Sequence, residues 1–308
     1  MCRALAYLGQ PVLLDDLLYQ PDSALVKQSY MPKMLYLLNL AGFGFKAWDR
    51  GSFDPDKPFS YASTELPVYD RNLKGLAEKI RASCVLAHVR GVPYNTEGVI
   101  SRQNVHPFQF PGCRIALAHN GDLERIRDMK PLLAEHVHPK FAKMISGTTD
   151  SEWIYALLVS HLEDPSRHLT ADEIVRALEK TFTVLRDTRA RLGIALTSPV
   201  NLFITTGDQL VAVRYCFDFG CYRTDDPGQV LVEANFTYYS LWYTSGREYG
   251  YHGEEWKMVG GADKADSMMI ASEPLTHDTS TWLEVPEYSM IYADTRSGRP
   301  TVEVHYLD

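Results

Sequence analysis

Cys2 stands directly after Met1, so loss of that methionine would leave one residue carrying both a thiol nucleophile and a free α-amine. Such a residue needs no separate histidine base. An α-amine, with an ordinary pKa of about 7.7–8.0, can take the thiol proton directly or through water. A cysteine can also stand second for no chemical reason, so the position alone decides nothing. Three other stretches give it company. His88-Val89-Arg90-Gly91 ends an apolar run by presenting an arginine. Its guanidinium fork matches the two oxygens of a carboxylate, although a surface ion pair would use Arg90 equally well. His119-Asn120-Gly121 contains a common turn pair. It is also a way to aim an amide side chain and a backbone N–H at one oxygen, the arrangement of an oxyanion hole. Thr148-Thr149-Asp150-Ser151-Glu152 opens a helix, with Thr149 and Glu152 spaced as a capping box. Asp150 in the first turn suits the helix dipole, and its carboxylate could equally hold an ammonium group.

Together these residue types fit one substrate class. An α-amino acid headgroup offers a carboxylate and an ammonium, for which Arg90 and Asp150 supply opposite charges. A scissile amide needs a nucleophile and an oxyanion site, for which Cys2, Asn120 and Gly121 are the candidates. The predicted chemistry is amide cleavage through a thioester.

Elements must hold those residues. The apolar alternation from Ala4 to Leu8 reads as a strand that would tie down an otherwise frayed chain start. One or two helical turns are expected in Pro11–Tyr19 and a strand in Gly44–Trp48. Residues 51–70, rich in Ser, Pro, Asp and Tyr, read as a surface loop. An amphipathic helix is predicted for Leu73–Arg81 and strands for Cys84–Val89 and Ile115–Ala118. Asp122 is the expected N-cap of a helix through Asp128. A helical turn at Pro139–Met144, an apolar helix to Leu162 and an amphipathic helix at Asp172–Leu192 follow. Beyond Val200 the pattern changes to strands: Asn201–Thr205, Gln209–Tyr215, Phe236–Tyr243, Ser267–Ala271, Tyr288–Tyr292 and Thr301–His305. Strands at both ends with helices between them predict an α+β layered domain rather than alternating parallel units. We expect one domain over 2–308, with its motifs in 2–162 and a strand-rich completion in 200–308.

Bulk properties narrow the classes further. A net charge of −8 argues against nucleic acid, which demands clustered Lys and Arg. No run of eighteen apolar residues is present, so no membrane helix is expected. No basic region precedes the first apolar stretch, so no secretory signal is expected either. Five scattered cysteines do not make a disulfide framework, and a reducing, cytoplasmic setting fits them. Cys84 and Cys113 read as small core residues. A metal site built on His136-x-His138 with Cys216 and Cys221 lacks coherent spacing. Neither a metal nor a cofactor is expected.

The order of motifs carries a family resemblance. Cys2, Ala87–Arg90 (AHVR), Asn104–Phe108 (NVHPF), Ala118–Leu123 (AHNGDL) and Thr148–Glu152 (TTDSE) resemble the class II glutamine amidotransferases, which are N-terminal-nucleophile hydrolases. The resemblance is strong from Met1 to about Leu162. It continues more weakly through Ser272-Glu273-Pro274-Leu275-Thr276 and Trp282. It implies a four-layer αββα fold, two stacked antiparallel sheets flanked by helices. It also implies Cys2 as nucleophile, Asn120 and Gly121 in the oxyanion hole, Arg90 on the substrate α-carboxylate and Asp150 on its α-ammonium. His88, His106 and His119 recur in the motifs and are expected to be structural hydrogen-bonders. The loop at Gly91-Val92-Pro93-Tyr94 departs from the pattern common among amidotransferases, which places the choice of leaving group there. No large acceptor domain is expected after the helices, since the strands beyond them read as completing the same domain. The stand-alone relatives it resembles are γ-glutamyl hydrolases of thiol metabolism: the ergothioneine-pathway amidohydrolase and the amidotransferase-like subunit of the fungal glutathione-degrading complex. The implied substrate is glutamine or a γ-glutamyl small molecule, with a partner peptidase or synthase subunit left open. Two other readings stay open: a glutaminase that donates ammonia to a synthase in trans, and a catalytically silent amino-acid-binding subunit.

Overall fold

Alternation along single strands places two sheets face to face. A computed structural model describes residues 2–34, 38–92, 100–221, 240–261, 265–294 and 302–307. In chain order it contains β1 (Arg3–Leu13), α1 (Leu14–Leu18), β2 (Phe43–Trp48), β3 (Phe59–Ser63), α2 (Arg71–Ala77), β4 (Arg81–Val89) and β5 (Ala116–Gly121). The helices α3 (Ile126–Leu133), α4 (Pro139–Ala142), α5 (Asp150–Ser160) and α6 (Ala171–Arg191) follow. Then come β6 (Ser198–Thr205), β7 (Gln209–Arg214), β8 (Cys216–Phe217), β9 (Trp242–Gly246), β10 (Glu248–His252) and β11 (Glu255–Val259). The last strands are β12 (Ser267–Ala271), β13 (Leu283–Glu284), β14 (Ser289–Asp294) and β15 (Glu303–Tyr306).

One sheet has seven strands in the order β13-β9-β12-β1-β4-β2-β3, and the other has six in the order β15-β14-β7-β6-β5 with β8 beside β6. Among the described residues every strand pairing is antiparallel. In β1, Ala4, Ala6 and Leu8 share a cluster with Ala116 and Ala118 of β5, Ala212 of β7 and Ala293 of β14. Their neighbours Leu5 and Tyr7 pack instead with α1, α2 and the β10–β11 hairpin. On the six-stranded sheet, Leu117, Leu202 and Val213 pack against α3–α6, joined by Ile115 just before β5. Period-two alternation therefore sorts the same strands between an inner face and an outer one. The expected α+β architecture of stacked antiparallel sheets and flanking helices is what forms. The layer outside the seven-stranded sheet is thin, two short helices and a hairpin.

The helices explain themselves locally. α5 is buried on nearly every side, as an all-round apolar helix must be, and Tyr155 ties it to β5 by donating to the Ile115 carbonyl at 2.9 Å. α6 starts at a complete capping box, Thr170 with Glu173. The box expected at Thr149 and Glu152 is only half made. Thr149 Oγ1 accepts from the Glu152 N–H at 3.3 Å, but the Glu152 carboxylate turns to the N–H groups of Ser146 at 3.0 Å and Gly147 at 2.7 Å.

Other expectations need correction. Asp122 does not cap a helix, because its N–H donates to the Pro199 carbonyl at 3.0 Å and the helix starts at Ile126, after Arg125 at φ 58°. The supposed loop at 51–70 contains β3. The predicted helix at Leu73–Arg81 begins earlier, where Asp70 caps Arg71–Ala77, and Arg81 opens β4 instead. The strand expected at Phe236–Tyr243 is found as Trp242–Gly246, residues 236–239 lying outside the described ones.

Candidate active site

The candidate residues converge at one end of the gap between the sheets. Cys2 and Ala4 share the inner parity of β1, His88 and Arg90 continue that of Leu86 in β4, and Asn120 continues that of Ala118 in β5. Antiparallel pairing sets Arg3 opposite Val89 and Ala4 opposite His88, so the start of β1 meets the end of β4. Cys2 itself precedes the first paired residue and is 8% exposed, with its Sγ 3.7 Å from the Gly91 carbonyl.

Ser272, just past β12, joins the two sheets. Its Oγ accepts from the Ala4 N–H at 3.0 Å and from Asn120 Nδ2 at 3.1 Å. An amide nitrogen carries two protons, and this contact occupies one of them. Gly121 pairs with Val200, and a Cβ there would overlap the Pro199 carbonyl oxygen and the His119 ring, so only glycine fits. The sequence motifs contained Asn120 and Gly121 and gave Ser272 no role of its own. Its one hint was the Ser272–Thr276 segment.

Arg90 is buried, which lowers its pKa, while Cys2 and Asp150 lie near enough for both to favour the charged guanidinium. Asp150 sits at the first position of α5, with Oδ2 accepting the Leu123 N–H at 2.8 Å and Oδ1 accepting the Ser151 N–H at 2.7 Å. Those bonds fix its orientation and leave acceptor capacity for a further donor. Asn104 bridges two of the motifs. Its Nδ2 donates to Thr148 Oγ1 at 3.0 Å and its Oδ1 accepts the Thr148 N–H at 2.8 Å.

The three histidines divide. His88 Nε2 donates to the His119 carbonyl at 3.1 Å, and His119 Nδ1 is hydrogen-bonded to Ser151 Oγ at 2.9 Å. Both are structural hydrogen-bonders, as expected. His106 is not: among the described residues neither ring nitrogen has a partner, and the ring packs 4.1 Å from His88 and edge-on to Phe108 at 4.7 Å between centroids. Burial lowers all three pKa values, that of His88 to about 3, so these rings are neutral at pH 7.

Among the described residues no group of three or more His, Cys, Asp and Glu could hold a metal ion. His138 has a local task, its Nδ1 accepting from the Lys140 N–H at 3.1 Å to cap α4. Among the described residues no helix is long and apolar enough to cross a membrane. Of the loop Gly91–Tyr94, Pro93 and Tyr94 lie outside the described residues.

The fold is an α+β double sheet flanked by helices, with the buried Cys2, Arg90, Asn120 and Asp150 and the half-buried Gly121 at one end of the gap. The class-II glutamine amidotransferase family matches residues 62–227. The chain belongs to that family, and it is an enzyme of the glutamine amidotransferase type. The matched span contains Arg90, Asn120, Gly121 and Asp150, and Cys2 precedes it. Among curated relatives, the probable glutamine amidotransferase DUG3 of Saccharomyces cerevisiae is 28% identical, aligned over 100% of this chain and 86% of its own. The gamma-glutamyl-hercynylcysteine sulfoxide hydrolase of Mycolicibacterium smegmatis is 30% identical over 74% of this chain and 90% of its own. A glutamine aminotransferase class-II domain protein from Silicibacter pomeroyi superposes with a TM-score of 0.60 at 18% identity, over 100% of both chains. The glutamine phosphoribosylpyrophosphate amidotransferase of B. subtilis gives a TM-score of 0.55 at 16% identity, over 98% of this chain and 49% of its own. These two likenesses show the fold.

Proposed function

We propose that this enzyme hydrolyses the γ-amide of glutamine or of a γ-glutamyl compound through a γ-glutamyl thioester on Cys2. The observation that carries the reading is the Ser272 hydroxyl, which holds the backbone two residues from Cys2 and the Asn120 amide on one oxygen. A nucleophile and an oxyanion donor must be fixed relative to each other, and a shared acceptor does that. Arg90 pairs with the substrate α-carboxylate and Asp150 with its α-ammonium. The α-amine of Cys2, free once Met1 is removed, takes the thiol proton. The thiolate adds to the γ-carbonyl while Asn120 Nδ2 and the Gly121 N–H hold the oxyanion. The C–N bond then breaks, and the α-ammonium protonates the departing amine. Water attacks the thioester, releasing glutamate and restoring the thiol.

The γ-glutamyl part of the reading rests on relatives whose names include a γ-glutamyl hydrolase. Residues 2–308 act as one unit in this scheme, since β1 at one end of the chain pairs with β12 near the other. A reducing, cytoplasmic setting belongs to the same proposal, because the thiol must stay reduced. The test is to offer the Met-processed protein a panel of γ-glutamyl compounds and glutamine and to measure released glutamate. Turnover that disappears in Cys2→Ala supports the reading. Turnover that survives in Cys2→Ala moves the nucleophile elsewhere. Substrate binding without turnover favours a silent binding subunit. Glutaminase activity that needs an added synthase favours an ammonia donor.

A further inference from the structure

We infer that Glu273, acting through Arg3, is a positioning residue for Cys2. Arg3 and Glu273 are 270 residues apart in the chain and each is 1% exposed. Arg3 Nε lies 3.4 Å from Glu273 Oε2, and Arg3 Nη1 reaches back to donate to the Cys2 carbonyl at 3.1 Å. Among the described residues the other donors to the carboxylate lie on one stretch of chain. Ser23 Oγ and the Lys33 N–H each donate to Oε1 at 3.0 Å, and the Met34 N–H donates to Oε2 at 3.0 Å. Four donors on two oxygens satisfy an acceptor-only group.

A buried ion pair is a poor way to gain stability, because desolvation of two charges offsets their attraction and an apolar pair of similar volume often does as well. Its geometry is what an apolar pair cannot reproduce. Cys2 lies before the first ladder pair, Arg3 with Val89, so the pairing of β1 with β4 starts one residue too late to fix it. The Arg3 guanidinium grips the Cys2 carbonyl from the far side of that residue and is itself gripped by Glu273. The chain rotations that set the thiol against its own α-amine are thereby anchored at the carbonyl end. Neighbouring Ser272 anchors Ala4 and Asn120, so the Ser272-Glu273 dipeptide holds both sides of the nucleophile. Glu273 also ties Cys2 to the segment carrying Ser23, Lys33 and Met34.

This inference rests on the reading of Cys2 as nucleophile. The experiment compares Glu273→Gln and Arg3→Lys with the wild type as full-length, Met-processed protein. Active sites are titrated first, so that rates are expressed per competent site. We expect the per-site kcat of Glu273→Gln to fall at least tenfold with KM within threefold of wild type. The rate of Cys2 alkylation by iodoacetamide, read on the Cys2 peptide by mass, should change at least threefold. Arg3→Lys combined with Glu273→Gln should lose no more than the worse single variant, as expected for groups acting as a unit. A per-site kcat and a Cys2 alkylation rate both equal to wild type would overturn the inference. So would a loss confined to the number of competent sites. Where Glu273→Gln is insoluble, Arg3→Lys decides by the same outcomes, since it keeps a cation beside Glu273 and removes the fork that reaches Cys2. If the wild type shows no Cys2-dependent turnover, the hydrolase reading fails, and the alkylation arm still decides whether Glu273 positions the thiol.

Discussion

Asn120 and Ser272 meet across the gap between the sheets, Nδ2 donating to Oγ at 3.1 Å, and the same oxygen accepts the Ala4 N–H at 3.0 Å. Ser272→Ala would strip both buried donors of their acceptor. Leaving a buried donor unsatisfied costs about 1–3 kcal/mol. With two donors stripped, we expect urea unfolding to report a loss of about 2–6 kcal/mol. We also expect kcat to fall by more than tenfold, since Asn120 would no longer be held toward the reacting carbonyl. A variant that is destabilised but turns over at the wild-type rate would show that the bridge serves the fold alone.

Asn120→Ala tests the oxyanion site itself. Removing one oxyanion donor costs about 3 kcal/mol in the barrier, a factor of roughly a hundred in kcat. Because the donor acts on charge that develops only in the transition state, KM should stay close to wild type. Steady-state kinetics with the best substrate of the panel gives both numbers. A raised KM with normal kcat would make Asn120 a substrate-binding group instead.

At Gly121 the neighbour in the way is the Pro199 carbonyl oxygen, a backbone atom that the β5–β6 pairing keeps in place. Gly121→Ala is therefore expected to destabilise the protein by about 3 kcal/mol, the upper end for overpacking. Gly112 offers the contrast, because a Cβ there meets nothing within 4 Å. Its φ of +82° leaves only backbone strain to oppose Gly112→Ala. Denaturant midpoints should show Gly121→Ala as the more damaging change. Equal midpoints would mean that β6 can yield at Pro199.

The site was legible in the sequence where chemistry and secondary structure coincide in a short run. Arg90, Asn120 and Asp150 each stand at the end of a strand or the start of a helix, where the motif also marks the turn. Their partners Ser272 and Glu273 stood out only as part of a weakly matching segment, and what they touch was not legible. Ser272 meets Asn120 across 152 residues and Glu273 meets Arg3 across 270, and no local pattern encodes a contact at that separation. The β10–β11 hairpin escaped for a different reason. Its two-residue turn, Gly253-Glu254, takes φ of +58° and +67°, and a glutamate in the second position hides the Asn-Gly signal that such turns usually give. Strand β3 is half exposed along its length, so its burial leaves no alternation to read. The residue pattern alone gave an α+β layered domain, and the pairing of two antiparallel sheets came from the family resemblance; the structure shows the alternation between two clusters that the stacking rests on.

The neutral histidines near Arg90 set an acid limit on stability. His88 is held down to about 3 by burial, against an ordinary value near 6.5, and His106 and His119 are lowered as well. Between those pH values the unfolded chain binds protons that the folded chain refuses. Stability is therefore fully present above about pH 6.5 and declines as pH falls toward 3. The slope is about 1.4 kcal/mol per pH unit for each ring that stays neutral. His106 faces His88, His119 and Arg90, and both its nitrogens lack partners among the described residues, so its ring contributes acid sensitivity without making a hydrogen bond to them. His106→Phe keeps an aromatic ring against Phe108 and removes two buried polar atoms. Unfolding free energies measured at pH 7, 6, 5 and 4 should show this variant at least as stable as wild type at pH 7. The acid decline should be shallower by about 1.4 kcal/mol per unit. An unchanged decline would mean that His106 titrates in the folded protein as it does in the unfolded chain.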